Sequence, residues 1–274
     1  MKVKKLFVGL LVGGFCNYSL MAMENTNMSS YEKAPSDIHT RLFEDLDVKS
    51  VVQLRCVSTT MLGHVTQCFL SLNRHQLVVS EITDNMLGHV NIFANLTELN
   101  LGQWGLCLDL TDTGLQTLQL TNLKQLDLGG SYQITPTGLS HINLTNLNQL
   151  NISNCGGLMN GTLDYGNLTN LTSLNMCGLE VNTDDELSRL NICTNLTSLD
   201  LGGWVQITDP SLLMSLTNLK QLSLEGCSGI MDAGLSNLNL PSLIWLKVTD
   251  CWQITDGKIQ ELKDKNPNLE IINK

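Results

Sequence analysis

The dominant feature of this chain is an apolar pattern, Leu-x-x-Leu-x-Leu with mild substitutions, that recurs eight times. Successive copies are separated by 23 to 27 residues. They begin at Leu96, Leu123, Leu147, Leu171, Leu196, Leu219, Leu243 and Leu269. A unit of this length cannot bury its apolar face alone, so neighbouring copies must stack. The pattern therefore predicts a solenoid, an architecture that presents a long surface.

One copy contains two structural periods. Leu246 and Val248 alternate with polar residues, which is typical of a short half-buried strand, whereas Ile259 and Leu262 lie three apart, as on a helix face. A helix-start signal, Thr followed by Asp, recurs at 111–112, 208–209 and 255–256. Each coil is therefore predicted to contain one strand and one helix.

A row of cysteines is predicted inside the solenoid. Cys155, Cys227 and Cys251 each lie eight residues after the first Leu of their copy, at a position that other copies fill with Trp204 or Leu179. Thiols in such a row behave as small buried hydrophobic groups. We therefore expect packed cysteines rather than a framework of disulfides.

The cysteine-containing copies resemble a known family of repeats. The pattern Cys-x-x-Ile-Thr-Asp-x-Gly-Leu, matched best at 253–257 and 206–209, resembles the cysteine-containing leucine-rich repeats over residues 95–274. The resemblance implies an α/β horseshoe with parallel strands on the concave side and helices on the convex side. The stem at 168–174 also resembles the shorter repeats of secreted, internalin-like bacterial proteins.

A target-binding surface is expected on the concave side of such a horseshoe. Side chains alternate across a strand, so the residues that flank the inner leucines face outward. Those predicted to bind a target are Glu98, Asn100, Gln125, Asp127, Gln149, Asn151, Asn175, Asp200, Gln221, Glu225, Trp245 and Lys247. Trp245 is the large aromatic among them, and such residues often dominate the free energy of an interface.

The charge of the chain restricts the class of partner. Its formal net charge is −10, and only 15% of its residues are charged. Nucleic acids and anionic membranes are bound by basic surfaces. A protein is therefore the expected ligand, and no nucleic acid partner is expected.

Residues 1–22 have the pattern of a secretory signal peptide. Lys2, Lys4 and Lys5 precede an apolar run from Leu6 to Cys16, and small or polar residues follow up to Ala22. The run is too short to span a bilayer stably. We expect export, with an apolar N-terminal helix as the alternative, and we expect residues 23–34 to be a flexible linker.

Residues 35–70 are predicted to form a small all-α module. Their apolar spacing resembles an F-box, and the resemblance implies contacts with an adaptor of the Skp type. The residues that it assigns to adaptor binding are Pro35, Ile38, Leu42, Phe43, Leu46, Val51, Leu54 and Val57. The alternative is a helical cap, because a solenoid needs its first coil covered. Residues 71–94 resemble a degenerate capping repeat.

An F-box followed by cysteine-containing leucine-rich repeats resembles the substrate receptor of a cullin-RING ubiquitin ligase. That resemblance implies that the module holds the Skp adaptor while the repeats hold a target protein. Export and a cytosolic ubiquitin role are reconciled if the chain is an effector of an intracellular bacterium that acts in host cytosol. The competing hypothesis is an exported, internalin-like binding protein without a ubiquitin role.

Catalysis finds little support in the sequence. The five histidines are scattered, with no Cys-x-x-Cys and no metal-ligand spacing. Neither a nucleophile elbow nor a phosphate-binding loop occurs. We therefore expect no enzyme activity, no catalytic residues, no metal site and no cofactor.

Overall fold

A single parallel sheet organises the protein. The computed structural model describes residues 76–78, 84–87, 91, 96–102, 110–160, 163–179 and 183–273. Within these residues, nine strands of three residues each pair in sequence order. They are β1 (Gln76–Val78), β2 (Glu98–Asn100), β3 (Gln125–Asp127), β4 (Gln149–Asn151), β5 (Ser173–Asn175), β6 (Ser198–Asp200), β7 (Gln221–Ser223), β8 (Trp245–Lys247) and β9 (Glu270–Ile272). Each coil thus adds one strand, as the repeat predicts.

The register of the sheet follows the repeat. The second Leu of each stem faces its counterpart in the next coil, from Leu99 opposite Leu126 to Leu222 opposite Leu246. These leucines are buried, whereas the residues on either side of them are mostly half-exposed. The flanking residues of successive strands therefore line up in two rows on the concave face.

The last stem departs from the predicted spacing. In the seven preceding stems the strand begins two residues after the first Leu, but β9 begins one residue after Leu269. As a result, Ile271 pairs with Leu246 and is buried, and Ile272 is left half-exposed. The shorter connection brings the apolar Ile271 into the core row, which explains the shift.

The convex side is less regular than predicted. Its described α-helices are short except for the last: α1 (Asp84–Leu87), α2 (Asp112–Leu115), α3 (Pro136–Ser140), α4 (Asp184–Arg189), α5 (Asp232–Ser236) and α6 (Asp256–Lys265). The remaining convex segments are 3₁₀ helices at Gly156–Asn160, Tyr165–Asn167, Leu190–Ile192 and Pro210–Leu213. The prediction of one helix in each coil is therefore confirmed, but after β4 and after β6 the chain forms 3₁₀ helices in place of an α-helix. Segments of three to five residues leave room for little more than one tight turn, which a 3₁₀ helix completes.

The Thr-Asp pairs do more than start helices. Thr111 and Thr255 cap α2 and α6, as predicted, but Asp209 rather than Thr208 caps its 3₁₀ helix. The Asp of one coil also accepts two hydrogen bonds from the Thr of the next. Thr135 donates to Asp112 from its backbone nitrogen at 2.8 Å and from its Oγ1 at 2.6 Å. The same pair of bonds joins Thr111 to Asp84, Thr208 to Asp184 and Thr255 to Asp232.

The predicted cysteine row is confirmed. Cys155, Cys227 and Cys251 are buried and free, and burial raises the pKa of the Cys155 and Cys227 thiols to about 12. Each thiol lies 2.9 to 3.3 Å from a backbone carbonyl oxygen of the preceding coil. Trp204 fills the same position, and its indole nitrogen donates to the Met176 oxygen at 3.0 Å. The side chains of this row therefore link neighbouring coils by donating hydrogen bonds, not by forming disulfides.

Several predicted segments lie outside the described residues. These are the signal peptide at 1–22, the linker at 23–34 and the F-box-like module at 35–70. Within the described part of the chain, no helix is long and apolar enough to cross a membrane.

Candidate binding surface

The concave face carries the side chains predicted to bind a target. Glu98, Gln125, Gln149, Gln221 and Trp245 begin their strands. Asn100, Asp127, Asn151, Asn175, Asp200 and Lys247 end theirs. Glu225 was expected on a strand but lies two residues beyond β7, where the chain has begun to turn towards the convex side. The repeat thus brings eleven of these twelve residues to one face and leaves Glu225 just beyond it.

Five of these residues have a structural role that the sequence reasoning missed. In Asn100, Asp127, Asn151, Asn175 and Asp200, a side-chain oxygen accepts the backbone N–H two residues further on, at 2.9 to 3.0 Å. We call these five residues the Asx row. Such side-chain turns satisfy the backbone where the strand ends. Their recurrence at the end of five successive strands is the sequence signal that could have revealed them.

Asp127 accepts one such bond and a second from a side chain, and it is tightly packed against Gly102. Its Oδ1 accepts the Gly129 N–H at 2.9 Å and the Asn151 Nδ2 at 2.9 Å. A Cβ added at Gly102 would lie 2.5 Å from the same oxygen. Oδ1 of Asp127 therefore stabilises the fold. It can occupy this position because Gly102 has no side chain.

The last coils of the concave face are built differently. Ser223 and Lys247 replace the Asx residue there, and Lys247 instead reaches across to Glu225 of the preceding coil. Its Nζ lies 2.6 Å from Glu225 Oε2, and this hydrogen bond raises the pKa of the Lys247 ammonium. Trp245 lies two residues before Lys247 on β8, so the two residues share a face of the sheet, and Trp245 is half-buried. We call Trp245, Lys247 and Glu225 the C-terminal cluster.

A shallow hollow occupies the first part of the concave face. It has a volume of about 230 Å³. Its polar lining includes Glu98, Gln125, Gln149 and Asn175. A hollow lined in this way offers hydrogen bonds more than apolar contact, which suits a polar protein surface better than a small apolar ligand.

One exposed residue was not anticipated from the sequence. Trp252 is 84% exposed, whereas its neighbour Cys251 is buried in the core. Tyr132 and Val205 hold the same position in other coils and are about half exposed. The residue directly after the buried cysteine position is expected to point to the opposite side, and this alternation could have indicated that Trp252, Tyr132 and Val205 are exposed.

The other predicted features can be placed only in part. The described part of the chain contains no group of three or more His, Cys, Asp or Glu side chains that could hold a metal ion. The residues assigned to adaptor binding, Pro35 to Val57, lie outside that part.

Solved structures share this architecture. A leucine-rich-repeat protein of Leptospira interrogans is 20% identical, with a TM-score of 0.51 over 77% of this chain and 50% of that one. The fold is a leucine-rich-repeat solenoid. The chain spans about half the length of the Leptospira protein. No protein-family model matches the sequence, and the search of curated proteins returned no match.

Two further structures are similar at lower TM-scores. A yeast complex of Rad7 and Elc1 matches with a TM-score of 0.41 and 16% identity, over 95% of this chain and 93% of that one. An internalin of Listeria monocytogenes matches with a TM-score of 0.42 and 20% identity, over 72% of this chain and 58% of that one.

Proposed function

We propose that this protein is a receptor that binds a target protein on the concave face of its solenoid. A leucine-rich-repeat fold implies protein–protein interaction. The observation that carries the proposal is the C-terminal cluster, because it places an aromatic side chain and an ion pair in the same part of an otherwise amide-rich face. Trp at the centre of a contact, surrounded by polar groups, is a common source of binding free energy.

The concave face favours a polar protein surface as its ligand. Two rows of carboxamide, hydroxyl and carboxylate groups repeat at the spacing of parallel strands, about 4.8 Å. A folded protein can meet such rows with many hydrogen bonds and bridging waters. The acids Glu98, Asp127, Asp200 and Glu225 outnumber Lys247 among the predicted binding residues, which disfavours nucleic acid.

The proposed partner of the N-terminal module is an adaptor of the Skp type. Residues 35–57 carry the spacing that resembles an F-box, and they precede the repeats in the order found in substrate receptors of cullin-RING ligases. In this role the protein has no catalytic step of its own. It holds a target near the ligase. In this proposal residues 1–22 direct export from a bacterium that lives inside a eukaryotic cell, and the protein acts as an effector in host cytosol.

Binding to purified Skp adaptor tests this assignment directly. We expect the full chain to bind in isothermal titration calorimetry and the Leu42→Asp, Leu46→Asp variant to lose binding, because two carboxylates cannot enter an apolar interface without a large desolvation cost. Ser36→Ala is the matched control and should bind. A circular-dichroism melt must show that the solenoid of each variant is intact. Lack of binding by the wild-type chain would refute the adaptor role.

The alternative is an exported binding protein of the internalin kind, with residues 35–70 as a helical cap. Its support is the internalin-like stem at 168–174 together with the signal-like residues 1–22. Under this alternative the concave face still binds a protein, but no adaptor is recruited. Intact mass of the secreted chain tests removal of residues 1–22, and the calorimetry above separates the two roles.

A further inference from the structure

Three large apolar side chains are exposed on one lateral edge of the solenoid. Trp252 is 84% exposed, Met231 53% and Val205 48%. All three lie between the end of a strand and the convex side, in three successive coils: Val205 and Trp252 hold the same loop position, and Met231 lies three residues further along its loop, directly before α5. We call them the edge patch. A Trp exposed to this degree is unusual in a soluble protein, where contiguous exposed apolar groups mark interaction sites.

The three loops form one continuous surface. The Gly203 N–H donates to the Glu225 oxygen at 2.6 Å, and the Gly226 N–H donates to the Thr249 oxygen at 2.8 Å. In the next layer, the side-chain nitrogen of Gln253 donates to the Ser228 oxygen. The edge patch therefore stands on stacked backbone rather than on independent loops.

The fold does not require Trp252. Cys251, its neighbour, fills the core position of this coil and donates from its thiol to the Leu224 oxygen at 2.9 Å. Ser228 and Gly156 hold the position of Trp252 in other coils. A large aromatic side chain placed in solvent where Ser or Gly suffices is better explained by binding than by folding.

The charge around the edge patch is of one sign. The loop residues 203–209, 226–232 and 250–256 contain four aspartates, Asp209, Asp232, Asp250 and Asp256, and no Lys or Arg. A Trp ring also attracts Lys and Arg cations to its face. Both features are complementary to a basic ligand, whereas a second copy of this acidic chain would be repelled at this edge.

We propose that the edge patch is a second interaction surface, separate from the concave face, that binds a basic protein segment carrying an apolar side chain. The apolar side chain packs on Trp252, and flanking Lys or Arg residues face the acidic loops, chiefly Asp250 and Asp256, because Asp232 and Asp209 also accept hydrogen bonds from Thr255 and Ser211. Carboxylates at a rim chiefly raise association rates and select the partner, while the buried aromatic contact carries the affinity.

Selection from random peptides displayed on phage tests the proposal with the full chain. We expect the wild-type protein to enrich peptides that combine Lys or Arg with an apolar residue. Their affinity should fall about tenfold or more in Trp252→Ala, as expected for loss of an interface anchor. Trp245→Ala is the matched control, since it removes the concave aromatic, and it should leave these peptides bound. Binding should also weaken as salt is raised.

Several outcomes would overturn the proposal. The first is enrichment of acidic or uncharged peptides. The second is that the selected peptides no longer bind Trp245→Ala but still bind Trp252→Ala. The third is that the wild-type protein enriches no peptides beyond those that the Trp252→Ala protein enriches. A dimer in light scattering that dissociates in Trp252→Ala would assign the edge patch to a second copy instead. Because Trp252 is exposed, its variant should melt at the temperature of the wild type, so a folding defect would not obscure the result.

Discussion

The Asx row and the C-terminal cluster occupy the same concave face but use their polar groups differently. In the Asx row, a side-chain oxygen of each residue is committed to the backbone two residues further on. In the C-terminal cluster, Lys247 and Glu225 bond to each other through partly exposed side chains, and Trp245 lies on the same strand as Lys247. A polar row on a concave face can therefore stabilise the solenoid itself. Residues that determine which partner binds are better sought outside the Asx row, where side chains do not bond to their own backbone.

The largest expected loss of stability comes from the Asx row. Asp127→Ala removes the acceptor of two hydrogen bonds and should lower the free energy of unfolding by about 1–3 kcal/mol. Asp127→Asn should cost less than half as much, because Asn holds this position in the adjoining coils as Asn100 and Asn151. Urea unfolding measures both. Equal losses in the two variants would show that the charge of Asp127, not its turn-forming oxygen, matters.

The C-terminal cluster should matter little for stability. Lys247→Ala breaks an ion pair whose two side chains are 29% and 42% exposed, and it should lower the free energy of unfolding by less than about 1 kcal/mol. The same urea titration checks it. A loss as large as that of Asp127→Ala would mean that the two regions do not differ in the way described.

The stability of the fold should depend on pH because of the hydrogen bonds between Thr and Asp on the convex side. Burial acts to raise the pKa of Asp184, but hydrogen bonds from Thr208 and from the backbone of Asp209 outweigh it and lower the pKa. The contribution of Asp184 is therefore present above its unfolded pKa, about 3.9, and is lost as pH falls through the lower folded value. The melting temperature, measured from neutral to acid pH, should decline less for Asp184→Asn than for the wild type. An unchanged decline would contradict this assignment.

The smallest effect concerns the thiols. Cys177, next to Asp200 and Glu225 on the concave side, is half-buried, whereas Cys155 and Cys227 are fully buried with pKa values raised to about 12. Alkylation at alkaline pH, followed by peptide mass spectrometry, should modify Cys177 before the other two. Faster labelling of Cys155 would show that the core row opens more readily than the concave face.

The repeat predicted the fold well because its leucines impose the register. The alignment of Leu99 with Leu126 and the burial of Cys227 follow from spacing alone. The convex helices were predicted less well, because segments as short as Pro210–Leu213 take their form from tertiary packing and not from a period. The bonds of the Asx row and the exposure of Trp252 depend on which way a single side chain turns at the end of a strand. A spacing pattern does not encode that direction.

The proposal that residues 35–57 bind an adaptor and the concave face binds a target is tested most directly by purifying three tagged chains from eukaryotic cells. The proteins bound to each chain are then quantified. The chains are the wild type, the Trp245→Ala, Lys247→Ala variant and the Leu42→Asp, Leu46→Asp variant. We predict that the first variant loses target proteins and keeps the Skp adaptor, and that the second loses the adaptor and keeps the targets. Loss of both classes together, or of neither, would contradict the account.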